Sequence, residues 1–339
     1  MNKKSKYNVA VVGARGAVGS EMIKILEERK FPVAELRLFG SARSKGTTVC
    51  FQGRDITVQE LKFEPDEFQG VDIVLSSPGA STSTKFVPHA VKIGAIVIDN
   101  TSAFRMHPKV PLVIPEINPE DIERHRGIIA NPNCSAIIML MAIAPLHKKS
   151  PIKRVLCSTY QSASGAGAKA MKELETQTRD FLEGKSIKKE VFPHQIAFNL
   201  FSHNSTIEEN GYNGEELKMI QESHKILHDD SIRIVTTCVR VPVFRAHSET
   251  IYIEFERKMI ADKARSILSK APGIKLVDDQ KKNYFPMPIE ASGGDDVLVG
   301  RIREDLSCKN GIALFVAGDQ LRKGAALNAV QIAEALIGS

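Results

Sequence analysis

The sequence predicts an α/β protein with an N-terminal doubly wound parallel sheet, followed by a second domain of the α+β type with a mixed sheet. Short β-branched strands alternate with helical segments at the beginning of the chain, and a glycine-rich turn directly follows the first strand. The later strands are longer, and their apolar and polar residues partly alternate. Regular strand–helix alternation is typical of parallel βαβ units, and alternation within a strand is typical of a sheet with one covered face.

The first domain is expected to span residues 1–130. Its first strand is the β-branched run from Tyr7 to Val12, and apolar residues at helical spacing come after the glycine turn. The other strands predicted in this domain lie at 34–39, 71–75, 95–98 and 128–130, with a helix around 85–93. Strands that recur at this interval favour βαβ connections and therefore parallel pairing.

The second domain is expected to span residues 131–319. A polar, helix-rich segment is expected over 168–212, and apolar residues at helical spacing predict that 320–339 form a terminal helix packed back on the first domain. The predicted strands of this domain lie at 155–161, 232–243, 249–256, 296–303 and 312–317.

Composition and charge argue against several classes of protein. The chain has 339 residues, 42% of them hydrophobic, but lacks the run of about 20 apolar residues that a membrane span needs. The net charge of +6 is interleaved with 40 acidic residues, so a nucleic-acid partner is not expected. The 5 cysteines occur singly without metal-site spacing, so neither disulfides nor a metal are expected. No secretory leader pattern begins the chain, which favours a cytoplasmic protein.

A glycine turn between the first strand and the first helix predicts an anion site for a dinucleotide. Free backbone N–H groups and the helix dipole face the pyrophosphate in such Rossmann-like turns. The spacing is G-x-x-G-x-x-G rather than G-x-G-x-x-G, and a simple tight turn is the alternative that the βαβ context disfavours. The candidate cofactor-binding residues of this turn are Gly13, Ala14, Arg15, Gly16, Ala17 and Val18.

The end of the second strand indicates which dinucleotide is bound. NAD sites usually carry Asp or Glu there for the ribose 2′-hydroxyl, whereas this chain has Ser41, Ala42 and Arg43. Hydroxyls and a cation suit a 2′-phosphate, so we predict NADP(H).

Cys134 is the candidate nucleophile. It is predicted at the start of an apolar helix, where the helix dipole favours a thiolate. The alternative, a small buried hydrophobic residue, fits Cys50, Cys157, Cys238 and Cys308 better, because none of them precedes a helix start.

Six strings follow the glycine turn along the chain. They are NPNCS at 131–135, YQSASGAG at 160–167, GYNGEELK at 211–218, RVPV at 240–243, HSE at 247–249 and LRKGAA at 321–326. Together they resemble the aspartate-semialdehyde dehydrogenase family over nearly the whole chain. In combination they distinguish this family from N-acetyl-glutamyl-phosphate reductases and glyceraldehyde-3-phosphate dehydrogenases.

The resemblance implies a catalytic role for four residues. Cys134 would form the acyl thioester, and His247 would be the general acid and base, a role that suits a group with a near-neutral pKa. Gln161 and Asn133 would orient the thioester through amide hydrogen bonds. Without the resemblance, His247 would be an ordinary histidine and Asn133 a loop or cap residue.

The resemblance also implies how substrate and cofactor are held. Arg240 would bind the substrate carboxylate as a bidentate fork, and Glu215 the ammonium. Arg105 and Lys218 would bind inorganic phosphate, the co-substrate, or the acyl phosphate. Glu215 and Lys218 share a helix face that Asn213 and Glu216 could cap, and a solvated ion pair is the alternative for them. The nicotinamide end of the cofactor would meet Ser164, Gly165 and Gln320.

The implied reaction is reductive dephosphorylation of L-aspartyl-4-phosphate to L-aspartate 4-semialdehyde with NADPH. The product would feed the synthesis of lysine or diaminopimelate, threonine, methionine and isoleucine, and the second domain would be catalytic and would also form a homodimer. Two alternatives stay open, namely an acyl-phosphate reductase with another substrate and a non-catalytic NADP-binding protein of this fold.

Overall fold

The computed structural model describes residues 4–338. The chain divides into two compact units. The first unit comprises the residues up to Asn133 together with those from Ala325 onward, and the second comprises Cys134–Gly324. Within the described residues, no helix is both long enough and apolar enough to cross a membrane.

The first unit contains a seven-stranded, mainly parallel sheet. Its elements are β1 (Tyr7–Val12), α1 (Ala17–Glu28), β2 (Val33–Gly40), β3 (Thr48–Phe51), β4 (Arg54–Glu60), β5 (Ile73–Ser76), α2 (Ala80–Lys92), β6 (Ile96–Asp99) and β7 (Ile128–Ala130). The strand order is β3-β4-β2-β1-β5-β6-β7, and only β3 is antiparallel to its neighbour. The predicted doubly wound sheet is therefore confirmed.

The strand order reverses at β1. From β1 the chain builds outward through β2 on one side, and it later returns to place β5 on the other side. Such a reversal leaves a crevice at the carboxyl ends of the strands, which is where open α/β sheets bind ligands. Two strands that were not predicted, β3 and β4, form a short hairpin whose turn residues Gln52 and Gly53 have φ of 50° and 73°.

The second unit is built on a seven-stranded mixed sheet. Its elements are α3 (Cys134–His147), β8 (Ile152–Gln161), α4 (Ala168–Leu182), β9 (Phe201–Ser202), α5 (Gly214–Leu227), β10 (Arg233–Arg240), β11 (His247–Phe255), α6 (Ala261–Leu268), β12 (Ile274–Leu276), α7 (Pro288–Ala291), β13 (Val297–Glu304) and β14 (Gly311–Gly318). The order is β12-β13-β14-β11-β8-β10-β9, with β8 parallel to β10 and antiparallel to β11. This confirms the predicted mixed sheet.

The helix α3 packs on one face of the mixed sheet. It is apolar on all sides and almost entirely buried, which is the expected environment for a helix without a polar face. The opposite face of the sheet is partly exposed. Burial alternates along β8, where Val155, Cys157 and Thr159 point inward while Leu156 and Tyr160 point outward.

The prediction of a helix-rich segment over 168–212 is correct only for α4. After α4, Gly184 adopts φ of 66°, and Pro193 removes a helical N–H donor further on. The chain from there to α5 instead buries Phe192 and Ile196 against α4 in an irregular conformation.

The terminal helix α8 (Leu327–Gly338) belongs to the first unit. Its side chains Leu327, Val330 and Ile332 are buried in one apolar cluster with Met22 and Leu26 of α1. Full burial of such side chains contributes roughly 1.5–3 kcal/mol each. A second cluster covers the other face of the sheet and includes Phe39, Phe68 and Phe86; the rings of Phe68 and Phe86 are stacked, and that of Phe39 is tilted against Phe68.

One buried carboxyl group lies inside the mixed sheet. Glu249 of β11 is fully buried, its Oε2 lies 3.8 Å from Cys157 Sγ, and its Oε1 has no hydrogen-bond partner among the described residues. Burial raises the pKa of Glu249 well above its ordinary value of 4.5. Burial therefore favours the protonated, neutral form of Glu249.

We predict that Glu249→Gln makes the protein more stable in alkaline solution. Above pH 4.5 the folded chain keeps a proton that the unfolded chain releases, so stability falls as the pH rises through this range. The free energy of unfolding falls by about 1.4 kcal/mol per pH unit as long as the folded chain binds one proton more than the unfolded chain. Urea unfolding at pH 5 to 8 should give a shallower slope for the variant. Parallel pH dependences for both proteins would contradict a raised pKa.

Candidate active site

The first unit has a cavity of about 420 Å³ at the carboxyl ends of β1 and β2. The residues around it come from the glycine turn, the end of β2 and the loops after β4 and β5, and none of them is acidic. They are Val12, Gly13, Arg15, Gly16, Gly40, Ser41, Arg43, Ser44, Leu61, Phe63, Ser77, Pro78 and Thr82. A cavity with cationic and hydroxyl side chains at one end and a glycine turn at the other suits a phosphorylated nucleotide.

The glycines of the turn are required by close backbone contacts. Gly13 has φ of 86°, and a Cβ there would lie 2.8 Å from the carbonyl oxygen of Ser77. A Cβ on Gly19 would lie 2.2 Å from the carbonyl oxygen of Gly13. The helix α1 begins after Gly16 without a side-chain cap, so the N–H groups of its first turn are available to an anion.

The predicted cofactor residues differ in their position around this cavity. Arg15, Ser41 and Arg43 line it, whereas Ala14 is buried and is not among the lining residues. Ala17, Val18 and Ala42 do not line it either: the first two occupy the first turn of α1, and Ala42 begins a short 3₁₀ turn.

Lys45 lies outside this cavity, whereas residues that follow β5 help to line it. Lys45 forms a surface ion pair with Glu60 at 3.3 Å and does not line the cavity. Three further residues line the cavity without having been predicted: Ser77, Pro78 and Thr82, which follow β5. Their position after a strand adjacent to β1 is the signal that could have identified them, since ligands bind outside the carboxyl ends of such strands.

In the second unit, three strand ends meet at one edge of the mixed sheet. The strands β8 and β10 are parallel, and their last residues, Gln161 and Arg240, are paired in register. The strand β11 runs antiparallel to β8, so its first residue, His247, lies at the same edge. Three side chains that are far apart in sequence are thus brought together by strand pairing.

Gln161 links two helices to this edge. Its Nε2 donates to Ser135 Oγ at 3.0 Å and to Glu215 Oε1 at 3.1 Å, and its side chain is buried. Lys218 Nζ lies 3.2 Å from Glu215 Oε2. Asn213 caps α5 in a capping box with Glu216, as the sequence predicted, and this cap fixes the first turn that carries Glu215.

Arg240 is buried with its guanidinium hydrogen-bonded in three directions. Nη1 donates to the carbonyl oxygen of Ser162 at 3.2 Å, Nη2 to His203 Nε2 at 2.7 Å, and Nε to Asn204 Oδ1 at 3.5 Å. The ring of Phe192 lies 5.7 Å from the guanidinium carbon. Burial lowers the pKa of Arg240, while the charges of Glu215 and Cys134 act in the opposite direction.

His247 is fully buried, with one nitrogen bonded and the other unpaired. The backbone N–H of Ser162 donates to Nδ1 at 3.0 Å, which assigns the ring proton to Nε2. Nε2 has no hydrogen-bond partner among the described residues. Burial, followed by the charge of Arg240, lowers the pKa of His247 to about 3, so the ring is neutral near pH 7. The near-neutral pKa expected for this residue is therefore wrong, because the expectation took no account of burial.

Gly165 lies between the imidazole and the guanidinium. A Cβ there would be 2.9 Å from His247 Cε1 and 3.0 Å from Arg240 Nη1. Only glycine leaves this space open beside the unpaired nitrogen.

The loop that carries Ser164 and Gly165 is held by Gln320. Its Nε2 donates to Ser164 Oγ, and its Oε1 accepts from the backbone N–H of Ala246 at 2.9 Å. Ser164 and Gln320 are buried. Gln320 thus holds together the two segments beside His247, a role that the sequence analysis missed, and its contact with a nicotinamide stays a prediction.

Cys134 begins α3, as predicted, and is partly exposed. Gly324 packs directly against it, since a Cβ on that glycine would lie 3.0 Å from Cys134 Cβ. Asn133 precedes it in the chain and is buried. Cys157 and Cys238 are buried, as expected, and burial raises the pKa of both thiols. The expectation of burial is wrong for Cys50, which is exposed at the surface hairpin, and Cys308 is partly exposed.

Arg105 belongs to the first unit, whereas Gln161, Arg240 and His247 belong to the second. Its Nε donates to the carbonyl oxygen of Asn131 at 2.9 Å and its Nη2 to that of Asn100 at 2.7 Å. Among residues 4–338, no group of three or more His, Cys, Asp or Glu side chains is arranged to hold a metal ion.

Comparisons with known proteins agree on one family. Residues 8–125 match the model for the semialdehyde dehydrogenase NAD-binding domain, and residues 143–323 match that for the semialdehyde dehydrogenase dimerisation domain. The aspartate-semialdehyde dehydrogenase of Synechocystis sp. is 56% identical over 333 residues, which cover 98% of both chains. That of Aquifex aeolicus is 51% identical over 334 residues, again 98% of both.

A solved structure is similar over almost the whole chain. It is aspartate semialdehyde dehydrogenase II of Vibrio cholerae, complexed with ASA. The two structures superpose with a TM-score of 0.96 at 44% sequence identity, covering 99% of each chain.

We predict that His247 does not titrate between pH 8 and pH 5. Its pKa is about 3 because the charged ring would lose hydration and face Arg240. Because this pKa is depressed, the stability it contributes is present above pH 6.5 and is lost as the pH falls toward 3. Proton NMR should show a constant Cε1–H shift, assigned by its absence in His247→Gln. An inflection near pH 6.5 would show that the ring is not desolvated.

Proposed function

This chain belongs to the aspartate-semialdehyde dehydrogenase family, and we propose that it reduces L-aspartyl-4-phosphate to L-aspartate 4-semialdehyde through a thioester on Cys134. The observation that carries the proposal is the meeting of Gln161, Arg240 and His247 at one sheet edge in the unit that Cys134 begins. A non-catalytic protein of this fold would not need that arrangement. The product feeds the synthesis of lysine or diaminopimelate, threonine, methionine and isoleucine in the cytoplasm.

NADP(H) is the cofactor that best fits the first unit, and residues 1–130 are proposed as its domain. Arg15 and Arg43 line the cavity, no acidic residue does, and the Gly13 turn lets the backbone approach a pyrophosphate. The cation and the hydroxyl of Ser41 at the end of β2 suit a 2′-phosphate rather than a free hydroxyl. When bound, the reduced cofactor supplies the hydride. Ala14, Ala17, Val18 and Ala42 would contribute backbone contacts.

Residues 131–319 are proposed to carry out the covalent chemistry. The thiolate of Cys134 attacks the acyl carbon, forming a C–S bond, and phosphate leaves with the electron pair of the broken C–O bond. The start of α3 favours the anionic sulfur. Asn133 and Gln161 orient the thioester oxygen by amide hydrogen bonds. After reduction the C–S bond breaks, the thiolate returns, and the aldehyde leaves.

His247 stabilises the reacting oxygen by hydrogen bonding. Its unpaired Nε2–H donates a hydrogen bond to the oxygen as negative charge develops there. Ser162 Oγ lies 3.0 Å from Nδ1 and can donate to that nitrogen beside the backbone N–H, so both contacts keep the ring proton on Nε2.

Charged residues would recognise the substrate and the phosphate. Arg240 has five N–H groups, and the described residues accept from three, which leaves one N–H on each Nη for a carboxylate. Glu215 would receive the ammonium. Lys218 and Arg105 would hold the phosphate. The nicotinamide would approach past Ser164 and Gly165, whose loop is tied to Gln320.

We also propose that the protein is a homodimer through the open face of the mixed sheet. The chain matches a dimerisation domain, and apolar side chains stand exposed on the sheet face opposite α3. Tyr160 and Phe315 are in contact there, with ring centroids 6.4 Å apart, beside Leu156, Val235 and Tyr252. Exposed apolar patches of this kind mark interaction surfaces.

We predict that Cys134→Ala lowers kcat by about 10³-fold or more, because no other group can form the acyl bond. The assay is phosphate-dependent NADPH formation from L-aspartate 4-semialdehyde. NADP binding, measured by calorimetry, should be nearly unchanged. The exposed Cys50→Ala is the matched control and should keep full activity.

Trapping the acyl group identifies the nucleophile directly. Mass spectrometry of the wild-type chain quenched with L-aspartyl-4-phosphate should locate the adduct on the peptide that contains Cys134. Retained turnover in Cys134→Ala would refute the covalent role. A wild-type preference for another semialdehyde would favour a related acyl-phosphate reductase, and no turnover of any aldehyde would favour a non-catalytic protein.

We predict that Arg43→Glu weakens NADP binding by about tenfold or more, since a hydrogen bond to a charged group contributes roughly 1.5–3 kcal/mol. Binding of NAD should change little, because it has no 2′-phosphate. Lys45→Glu is the matched control, since Lys45 pairs with Glu60 outside the cavity. Equal losses for NADP and NAD would argue against a 2′-phosphate contact.

A further inference from the structure

His203 lies beside the proposed carboxylate-binding arginine. It follows the edge strand β9, whose Phe201 pairs with Arg240 in β10. The backbone N–H of His203 donates to the carbonyl oxygen of Cys238 at 2.8 Å, which anchors the histidine to the same strand. The 2.7 Å contact between its Nε2 and Arg240 Nη2 is the shortest of the three hydrogen bonds that hold the guanidinium.

The direction of this hydrogen bond determines the state of the histidine. An arginine has no acceptor, so Nε2 of His203 must carry a lone pair, and the ring proton lies on Nδ1. Nδ1 lies 3.1 Å from Ser205 Oγ and 3.2 Å from the backbone nitrogen of Ser205. A neutral ring cannot accept at both nitrogens, so the shorter Arg240 contact takes the lone pair of Nε2, and Nδ1–H donates to Ser205 Oγ rather than accepting from the backbone N–H. Burial and the charge of Arg240 lower the pKa of His203 to about 4, so the ring is neutral near pH 7.

Ser205 extends the chain of hydrogen bonds to the helix α5. Its Oγ accepts from the backbone N–H of Glu215 at 3.1 Å and donates to Asn213 Oδ1, the N-cap, at 3.3 Å. This hydroxyl therefore accepts two hydrogen bonds and donates one, which uses its single proton and both lone pairs. The arginine and the first turn of α5 belong to one hydrogen-bonded unit.

We propose that His203 is a positioning residue that orients Arg240 for the substrate carboxylate and couples it to Glu215 through Ser205. The inference rests on the proposed function and adds a specificity element to it. His203 and Asn204 occupy one Nη2 hydrogen and the Nε hydrogen, so the guanidinium cannot rotate about its long axis. One N–H on each Nη is thereby aimed at a carboxylate, while the same network fixes the residue that receives the ammonium.

The test compares two aldehydes that differ only in the carboxylate. L-Aspartate 4-semialdehyde carries it, and 3-aminopropanal has the same aldehyde and ammonium without it. The variants are His203→Leu, which removes the acceptor, and His203→Gln, whose side-chain oxygen can accept from Arg240 in its place. His89→Leu on α2 of the first unit is the matched control.

For His203→Leu, we expect KM for the semialdehyde to rise about tenfold, the effect of losing one hydrogen bond to a charged group, with kcat changed less than twofold. KM for phosphate and NADP, and kcat/KM for 3-aminopropanal, should stay within twofold of the wild type. His203→Gln should recover most of the loss. Ser205→Ala, which keeps the ring, should change KM in the same direction but by less.

Several outcomes would overturn the inference. Equal losses for both aldehydes would show a general structural role, as would a fall in kcat at constant KM or a failure of His203→Gln to restore KM. If His203→Leu does not fold, the other two variants decide. The inference is refuted if Ser205→Ala discriminates between the two aldehydes as the wild type does and His203→Gln loses activity equally toward both. A wild-type chain that does not oxidise L-aspartate 4-semialdehyde contradicts the proposed function itself, and the inference falls with it.

Discussion

The register of β8 against β10 is the constraint on which the second unit depends. Parallel pairing sets Gln161 opposite Arg240 at the last position of each strand, and antiparallel pairing with β11 brings His247 to the same edge. Because side chains alternate between the faces of a strand, a shift of one residue in any of these strands would turn its own side chain to the other face, away from the other two. The helix α3 packs on the face they share, which puts Cys134 at the start of the helix above them.

The same edge is kept open and rigid by different means. Gly165 and Gly324 leave space beside His247 and Cys134, where a Cβ would be too close. Gln320 binds the loop of Ser164 to the backbone of Ala246, so the walls of that space are tied together. Polar groups held by such a network lose little freedom when a ligand arrives, which is how preorganised sites gain affinity.

Buried polar atoms without partners mark where the fold gives up stability. His247 Nε2 is such an atom at the strand edge, and Glu249 Oε1 lies deeper on the same strand. An unsatisfied buried donor or acceptor costs about 1–3 kcal/mol. In the proposed mechanism this donor of His247 meets the reacting oxygen, and functional sites are where proteins depart from full hydrogen bonding. For Glu249 the cost is reduced by protonation.

The sequence by itself determined the two sheets, the start of α3 at Cys134 and the glycine turn, because strand periodicity, helix capping and glycine conformation are local properties. Only the tertiary structure decided which residues surround each functional group. His203 and Gln320 act through partners dozens of residues away, and Ser77 joins the nucleotide cavity because β5 lies beside β1. Pairing between distant strands depends on the packing of the whole sheet, so no local pattern records it.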